Sequence, residues 1–285
     1  VQARFDERMN IYWTEKLQAA GVKIIKSIPG FKVHSKLIQI RRKEKKQNVY
    51  YSYIGTGNLN ETTARLYCDE GLFTCKPNIT MEVNKVFELF EATFRPVRFR
   101  TLIVSPFSTR NHFIKLLDNE ILNAKEGKEA WAIIKLNNLA DYRITNKLYQ
   151  ASQAGVKLKL IIRSICILVP GIPGLSDNIE VYSIVDKFLE HSRMLIFCNN
   201  NKPLYYLGST DWMIRNLDNR VEVTCPVYDP DLQQEIQDIL TIQLQDNVKS
   251  RIVDGSFNNH FKSDSSKKLR SQDAIYEYLK KRHEK

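Results

Sequence analysis

Two segments of the chain carry one pattern: Val33-His34-Ser35-Lys36-Leu37-Ile38-Gln39-Ile40 and Glu190-His191-Ser192-Arg193-Met194-Leu195-Ile196-Phe197. In each, a His-Ser-cation triplet opens an apolar segment that is typical of a buried strand. Because side chains of a strand alternate between its two faces, each imidazole is expected on the same face as the cation two residues later. The pattern therefore predicts two strands that each present a histidine beside a positive charge.

The repetition continues beyond these strands. A glycine turn follows each of them, Gly55-Thr56-Gly57-Asn58 in the first half and Gly208-Ser209-Thr210-Asp211 in the second. An apolar segment precedes each of these strands and is itself interpreted as a strand, over 20–25 in the first half and over 179–182 in the second. The chain is thus predicted to be an internal duplication whose halves join near Phe94–Val97, where a proline follows a helical pattern.

Helical patterns alternate with strand patterns along the whole chain. Helices are expected over 8–19, 82–91, 111–123, 142–154, 231–245 and 272–281, and a buried strand over 157–162. This alternation predicts an α/β fold with a mixed sheet in each half. We expect a first domain at 1–96, which begins inside its repeat with the strand tail Val1–Ala3, and a second domain with a C-terminal helix at 97–285.

Composition narrows the class of protein. The 285 residues are 43% apolar and 26% charged, which suits one large core or two modest ones and argues against disorder. Apolar runs stay below the roughly 18 residues that a spanning helix needs, and the first residues do not resemble a signal peptide. Five cysteines without a C-x-x-C pair favour free thiols in a reducing compartment.

Charge indicates the kind of partner. The formal net charge of +11 calls for polyanions: nucleic acid, phospholipid headgroups or phosphate-rich small molecules. Part of it lies in the run Arg41–Lys46, which is most simply a solvated loop. Nucleotide-binding glycine motifs are missing, so any phosphate must be held by side chains and by a different kind of turn.

His34 is the candidate nucleophile. A neutral imidazole carries a lone pair near its ordinary pKa and can accept a phosphoryl group without a separate base. Lys36 on the same face and Asn58 on the glycine turn can neutralise the phosphoryl oxygens during transfer.

His191 is the candidate second catalytic histidine. With Arg163 and Arg193 it can donate a proton to the leaving group or steer it. Each imidazole needs a partner for its other nitrogen, and the carboxylates that follow the glycine turns are candidates: Asp69, Glu70 and Glu222. Tyr67 can stack on a base or a sugar.

These motifs resemble a known superfamily. H-x-K followed by G-[ST]-x-N, twice, is similar to the phospholipase D superfamily, in which two half-sites meet at one pseudo-two-fold active site. A closer resemblance, to the C-terminal catalytic domains of the bacterial polyphosphate kinase family, is carried by Ala3–Glu7, Val33–Lys36, Gly55–Glu61, Thr63–Tyr67, Ile133–Leu139, Ser176–Ile179, Ile184–Asp186 and Leu189–His191.

The resemblance implies a fold and an activity. The fold would be two phospholipase D-like α/β/α domains related by a pseudo-two-fold repeat, with mixed sheets and the active site between them. The activity would be reversible transfer of the γ-phosphate of ATP to inorganic polyphosphate, with Mg²⁺ and without nucleic acid. The longer protein would form a homo-oligomer in the cytoplasm, and a peripheral position at the inner membrane face is compatible with it.

The resemblance also assigns roles to individual residues. His34 matches the histidine that becomes phosphorylated, and Tyr67, Arg163 and His191 match positions that contact ATP. Arg4 matches an arginine beside magnesium, which we interpret as contact through metal-bound phosphate, because a guanidinium has no lone pair for a cation.

Some positions depart from the broader superfamily. Arg41 and Cys198 stand where phospholipase D enzymes usually carry an aspartate, and Arg193 replaces the second lysine. These departures favour the kinase branch. Two alternatives stay open: a phosphodiesterase or nuclease that uses the same covalent histidine with water as acceptor, and a basic module that binds polyanions without catalysis.

Overall fold

The computed structural model describes residues 7–25, 30–91, 97–256, 258–263 and 267–284. Within these ranges eight helices are present: α1 (Glu7–Ala19), α2 (Glu61–Ala64), α3 (Pro77–Glu91), α4 (Thr109–Lys125), α5 (Tyr142–Gln153), α6 (Ile214–Asp218), α7 (Pro230–Gln245) and α8 (Ser271–His283). All six predicted helices are confirmed.

The same ranges contain sixteen strands. They are β1 (Lys32–Val33), β2 (Lys36–Glu44), β3 (Gln47–Gly55), β4 (Tyr67–Cys68), β5 (Gly71–Thr74), β6 (Ile103–Ser105), β7 (Trp131–Leu136), β8 (Leu139–Ala140), β9 (Lys157–Ile162), β10 (Ile179–Ile184), β11 (Leu189–Glu190), β12 (Arg193–Phe197), β13 (Leu204–Gly208), β14 (Trp212–Met213), β15 (Arg220–Val227) and β16 (Ser250–Val253).

A mixed sheet forms the centre of the molecule. Its strands follow the order β1-β15-β13-β12-β7-β9-β10-β16, and β6 pairs with β15 beside this row. The pairs β1–β15, β7–β9 and β9–β10 are parallel, and the other pairs along the row are antiparallel. The predicted α/β fold with a mixed sheet is confirmed here.

Both faces of this sheet are buried. Along β12, Leu195 and Phe197 belong to a core that also contains residues of α4 and α5, whereas Met194 and Ile196 belong to a second core with residues of α3 and α7. This alternation follows from the two-residue period of a strand. Full burial of each such side chain stabilises the fold by about 1.5–3 kcal/mol.

The first half contributes a small antiparallel sheet, β2-β3-β5. Its Ile54 and Leu72 pack into the second core together with Val83 of α3 and with Val223 of β15. Parallel strand pairs are found in the large sheet and in two short pairs, β4–β11 and β8–β14. The small sheet of the first half is therefore antiparallel throughout its described strands and does not repeat the mixed topology of the large sheet.

One predicted strand is wrong. Residues 20–25 are not in a strand, and Val22 and Ile25 are 45% and 42% exposed. No strand within the described ranges pairs with this segment, and an unpaired strand would leave its backbone N–H and C=O groups without partners. The strand tail Val1–Ala3 and residues 94–96 of the predicted junction lie outside the described residues.

Candidate active site

Two short parallel strand pairs place the histidines. Just before His34, β1 pairs with the start of β15, in register Val33 to Val221. Just before His191, β11 pairs with β4, in register Glu190 to Cys68. Each half of the chain therefore supplies the strand against which the other half's histidine is held.

The backbone at both histidines bends in the same way. The N–H groups of His34 and Ser35 both donate to the carbonyl of Val221, at 3.0 Å each, and those of His191 and Ser192 both donate to the carbonyl of Cys68, at 3.1 and 3.0 Å. Because two successive N–H groups share one carbonyl acceptor, the regular hydrogen bonding between the paired strands is interrupted at each histidine.

The sequence predicted that each histidine would begin its strand. Because of this interruption, that prediction is wrong. The strands begin two residues later, at Lys36 and Arg193. The cations nevertheless stay beside the imidazoles. The Lys36 ammonium donates to the carbonyl of His34, and the Arg193 guanidinium donates to the carbonyl of His191 at 2.6 Å.

The ring of His34 is oriented by a carboxylate from the other half of the chain. Its Nδ1 lies 2.9 Å from Glu222, which is fully buried and also accepts hydrogen bonds from Asn216 at 2.7 Å and Ser209 at 2.5 Å. An ionised carboxylate can only accept, so Nδ1 carries the proton and Nε2 keeps its lone pair. Burial lowers the pKa of His34, which favours this neutral form.

The ring of His191 is oriented reciprocally. Its Nδ1 lies 2.7 Å from Asp69 of the first half, and Asp69 also accepts from the Thr56 hydroxyl at 2.6 Å. Its Nε2 faces the Arg193 guanidinium at 3.3 Å. Both ring nitrogens of His191 are therefore engaged, whereas Nε2 of His34 makes no hydrogen bond to any residue within the described ranges.

The glycine turns hold the carboxylates. Thr56 bonds to Asp69, and Ser209, the hydroxyl at the matching position of the second turn, bonds to Glu222. A Cβ on Gly57 would collide with the Asp69 carboxylate, so the glycine permits this close approach. Sequence reasoning missed the two hydroxyls, although their equal position in both repeats was a usable signal.

Buried cations bring the two half-sites together. Arg193 is 3% exposed, pairs with Asp211 at 3.3 Å and donates to the carbonyl of Thr56 at 3.2 Å. Burial lowers the pKa of Lys36 to about 8, and the Lys36 charge in turn contributes to lowering the pKa of both His34 and His191. One ammonium is therefore within electrostatic reach of both imidazoles.

Two further predicted residues lie on the His191 side. The Tyr67 ring meets the His191 ring edge-on, with 5.0 Å between their centroids. The guanidinium of Arg163 donates to Asn137 at 3.1 Å, and burial, together with the charge of Arg193, lowers the pKa of Arg163. Asn137 in turn donates to the carbonyl of His191 at 3.3 Å, so Arg163 is connected to His191 through this amide.

Other predicted residues are placed differently. Asn58 is exposed at the rim of its turn, and its side chain makes no hydrogen bond to the described residues. The run Arg41–Lys46 is the tip of the β2–β3 hairpin, and Arg4 lies outside the described residues. Arg220, which sequence reasoning did not single out, lies 3.9 Å from Glu222 on the His34 side.

The described side chains do not form a metal site of their own. Across the described ranges, no group of three or more His, Cys, Asp or Glu residues is arranged to hold a metal ion. Asp69 and Glu222, the carboxylates nearest the histidines, are committed to the imidazoles and hydroxyls. All five cysteines are free thiols, as expected. None of the described helices is long and apolar enough to cross a membrane.

Two reciprocally supported histidines thus lie where the two halves of this α/β protein meet. The chain belongs to the polyphosphate kinase family. The family's C-terminal domain 1 matches residues 1–96, and its C-terminal domain 2 matches residues 102–272. These matches confirm the resemblance on which the expected fold rests.

Individual relatives agree. The polyphosphate kinases of Vibrio parahaemolyticus and Escherichia coli K12 are 51% and 47% identical to this chain over 281 residues, 98% of its length. The crystal structure of polyphosphate kinase from Porphyromonas gingivalis superposes with a TM-score of 0.91 at 42% identity and covers the whole chain. The chain spans about 40% of the length of the curated relatives and 44% of the solved chain.

Proposed function

We propose that this chain is the catalytic part of an enzyme that transfers the γ-phosphoryl group of ATP to inorganic polyphosphate, reversibly, through a phosphohistidine at His34. The asymmetry between the two imidazoles is the observation that supports this proposal most directly. Nε2 of His34 has no hydrogen-bond partner among the described residues and Glu222 fixes its proton on Nδ1, whereas Nε2 of His191 already accepts a hydrogen bond from Arg193.

The proposed transfer has two steps. In the first, the lone pair of His34 Nε2 forms a bond to the γ-phosphorus, the bond from that phosphorus to the β,γ-bridging oxygen breaks, and ADP leaves with the electron pair. In the second, a terminal oxygen of polyphosphate attacks the phosphorus and the P–N bond breaks. Throughout, Glu222 compensates the positive charge that develops on the His34 ring.

The surrounding cations stabilise the transferred group. Lys36, Arg193 and Arg163 offer donors to the three phosphoryl oxygens, and stabilisation of this kind supplies much of the catalysis of phosphoryl transfer. Asn58, at the rim of the glycine turn, remains a proposed further donor. Tyr67 and His191 are proposed to contact the nucleotide, with His191 steering the departing diphosphate or supplying a proton to it.

Magnesium is proposed to enter with the nucleotide. The described residues do not provide a carboxylate site for it, so its ligands would be phosphate oxygens, and neither step above depends on a protein-bound metal. Arg4 keeps its proposed place beside the metal-bound phosphate. We further propose the domain division 1–96 and 97–285, homo-oligomerisation of the longer protein and a cytoplasmic location.

The test is covalent labelling. The chain is incubated with ATP labelled at the γ-phosphate, and we expect an acid-labile, base-stable label on His34 that polyphosphate or ADP removes. His34→Ala should abolish the label, whereas His260→Ala, at an exposed histidine outside the site, should retain it. Retained labelling in His34→Ala would refute the proposal, as would nicking of DNA without labelling, which indicates the phosphodiesterase alternative.

A further inference from the structure

The segment that leads into His191 is held from outside the site by one side chain of α8. Gln272 lies in the first turn of this helix. Its Oε1 accepts the N–H of Phe188 at 3.0 Å, and its Nε2 donates to the carbonyl of Phe188 and to the carboxylate of Glu190, each at 2.8 Å. A single carboxamide thus bonds to two of the three residues that precede His191.

On its other side the same segment is held by β4. The N–H of Leu189 donates to Leu66 at 2.8 Å, and that of His191 donates to Cys68 at 3.1 Å. Successive residues of a strand direct their backbone groups to opposite sides, so Phe188 faces away from β4. Gln272 therefore takes the place of a neighbouring strand along the free edge of β11.

The first turn of α8 is itself fixed. The N–H of Ser271 donates to the fully buried Asp246 at 2.7 Å. Arg270 forms two hydrogen bonds with Asp186, at 2.8 and 2.6 Å, and Asp186 lies two residues before Phe188. Because the helix start is anchored at two points, Gln272 is a rigid support for β11 rather than a mobile surface side chain.

The residues beside His191 are also anchored by a network of buried side chains, to which Gln272 adds one hydrogen bond at Glu190. Glu190 is 3% exposed and accepts from Lys135 at 2.6 Å and from Gln243 at 2.8 Å. Lys135 also bonds to the Ser192 hydroxyl at 2.9 Å. Glu190 keeps its bonds to Lys135 and Gln243 when the Gln272 carboxamide is lost, so this loss should loosen the backbone of β11 without dismantling the buried ion pair.

We propose that Gln272 is a positioning residue for His191. By holding β11 against β4 it keeps the imidazole where its Nδ1–H meets Asp69. This role of Gln272 rests on the proposed function only in one respect, namely what the positioned His191 ring does during the reaction.

The test replaces the carboxamide by an apolar side chain, in Gln272→Leu. With ¹⁵N-labelled histidine, NMR measures how fast the ring N–H protons of His191 and His34 exchange with water in this chain. We expect exchange at His191 to rise about tenfold or more and exchange at His34 to change less than about twofold, because local opening governs protection.

The matched control is Gln233→Leu. Gln233 is also a half-buried glutamine near the start of a helix, and it donates to the carbonyl of Val227 at 2.8 Å. This variant should leave both histidine rings as they were.

Two results would overturn the inference: unchanged exchange at His191 in a folded Gln272→Leu protein, or equal acceleration at both histidines. If the leucine variant does not fold, Gln272→Asn is measured, and failure of both to fold would also overturn it, since the residue would then serve the whole fold. The measurement needs no ATP, so a failure to label His34 would refute the proposed function and leave this inference standing.

Discussion

At the scale of single residues, the duplicated site is symmetric in its supports and asymmetric in its chemistry. Glu222 and Asp69 take equal places in the two repeats, and each bonds to Nδ1 of the opposite histidine. The difference lies at Nε2, where Arg193 faces His191 and no described residue bonds to His34. A common framework therefore leaves Nε2 of one ring without a partner among the described residues, as the proposed nucleophile requires, and holds the other ring in a hydrogen-bonded network.

The first prediction concerns the carboxylate behind the nucleophile. In Glu222→Gln the amide oxygen can still accept from Nδ1, but the negative charge that balances the developing imidazolium is lost. We expect phosphorylation of His34 to slow on the order of 100-fold, the scale of losing one electrostatic stabiliser. Rapid-quench labelling with ATP measures the rate.

The control for this variant is Glu120→Gln, which changes another fully buried glutamate that accepts the N–H of Asn199 at 2.6 Å. Its labelling rate should match that of the unchanged chain. If both variants lost the same rate, the loss would come from replacing any buried glutamate by glutamine, and not from the contact between Glu222 and His34.

The second prediction is a pH profile. Burial lowers the pKa of His34 below 6.5 and that of Lys36 to about 8. In the proposed reaction His34 attacks in its neutral form and Lys36 acts in its charged form. The labelling rate at subsaturating ATP should therefore rise with pH through a limb below pH 6.5, stay level, and fall near pH 8.

Lys36→Arg separates the two limbs. Arginine keeps its charge up to a pKa above about 12, so the fall near pH 8 should disappear while the acid limb stays in place, whatever the change in maximal rate. Persistence of the alkaline limb in this variant would show that another group causes it.

At the scale of elements, the β2–β3 hairpin joins the site to the basic run. β2 begins at Lys36 in the site and ends at Glu44, eight residues further, which is about 27 Å of extended chain. An ATP molecule whose γ-phosphate lies at His34, as proposed, is shorter than this distance, whereas a long polyphosphate chain can span it.

The third prediction follows from that reach. Reversing two exposed charges of the tip, in Arg41→Glu with Lys43→Glu, should weaken binding of long-chain polyphosphate on the order of tenfold at low salt and leave ATP binding within about twofold. Fluorescence anisotropy of labelled ligands measures both. The control Lys267→Glu with Lys268→Glu changes the same charge elsewhere, and equal losses for ATP and polyphosphate would contradict the prediction.

Sequence patterns predicted elements well where the signal is local. Strand β9 matches its predicted bounds, 157–162, because a buried run flanked by turns defines it. Helix α3 begins at Pro77, five residues before the predicted start, and a proline at the first helical position was an available signal. The apolar run at 20–25 misled, because apolarity without a partner strand does not make a strand.

The sequence predicted which residues belong to the site, but not which of them contact each other. The duplicated triplets identify His34 and His191, since local repetition is visible in one dimension. Glu222 is 188 residues from His34, and only the crossed strand pairs β1–β15 and β4–β11 bring each carboxylate to the opposite imidazole. No spacing along the chain encodes that exchange.

At the scale of the whole molecule, the crossed histidines require the two halves to fold as one body. The second core meets this requirement, since Ile79 of α3 packs in the same cluster as Val221 and Ile236 of the second half. A chain whose halves share a core is expected to unfold in one cooperative transition, even though its sequence is a duplication.

The last prediction tests this coupling. Ile79→Ala, at a residue 2% exposed in the first half, should destabilise the chain by about 2–5 kcal/mol through lost burial and a cavity. Trp13 and Trp131 are first replaced by Phe, so that the fluorescence reports only Trp212, which is fully buried in the second half on the other face of the large sheet. In this background the fluorescence transition should shift to lower urea by the same amount as the far-ultraviolet circular dichroism. Leu148→Ala, in the core of Trp212, is the positive control. If the Ile79 variant instead showed two transitions and the Trp212 signal did not move, the two halves would be independent domains. The contacts of Glu222 with His34 and of Asp69 with His191 would then have to form after each half had folded alone.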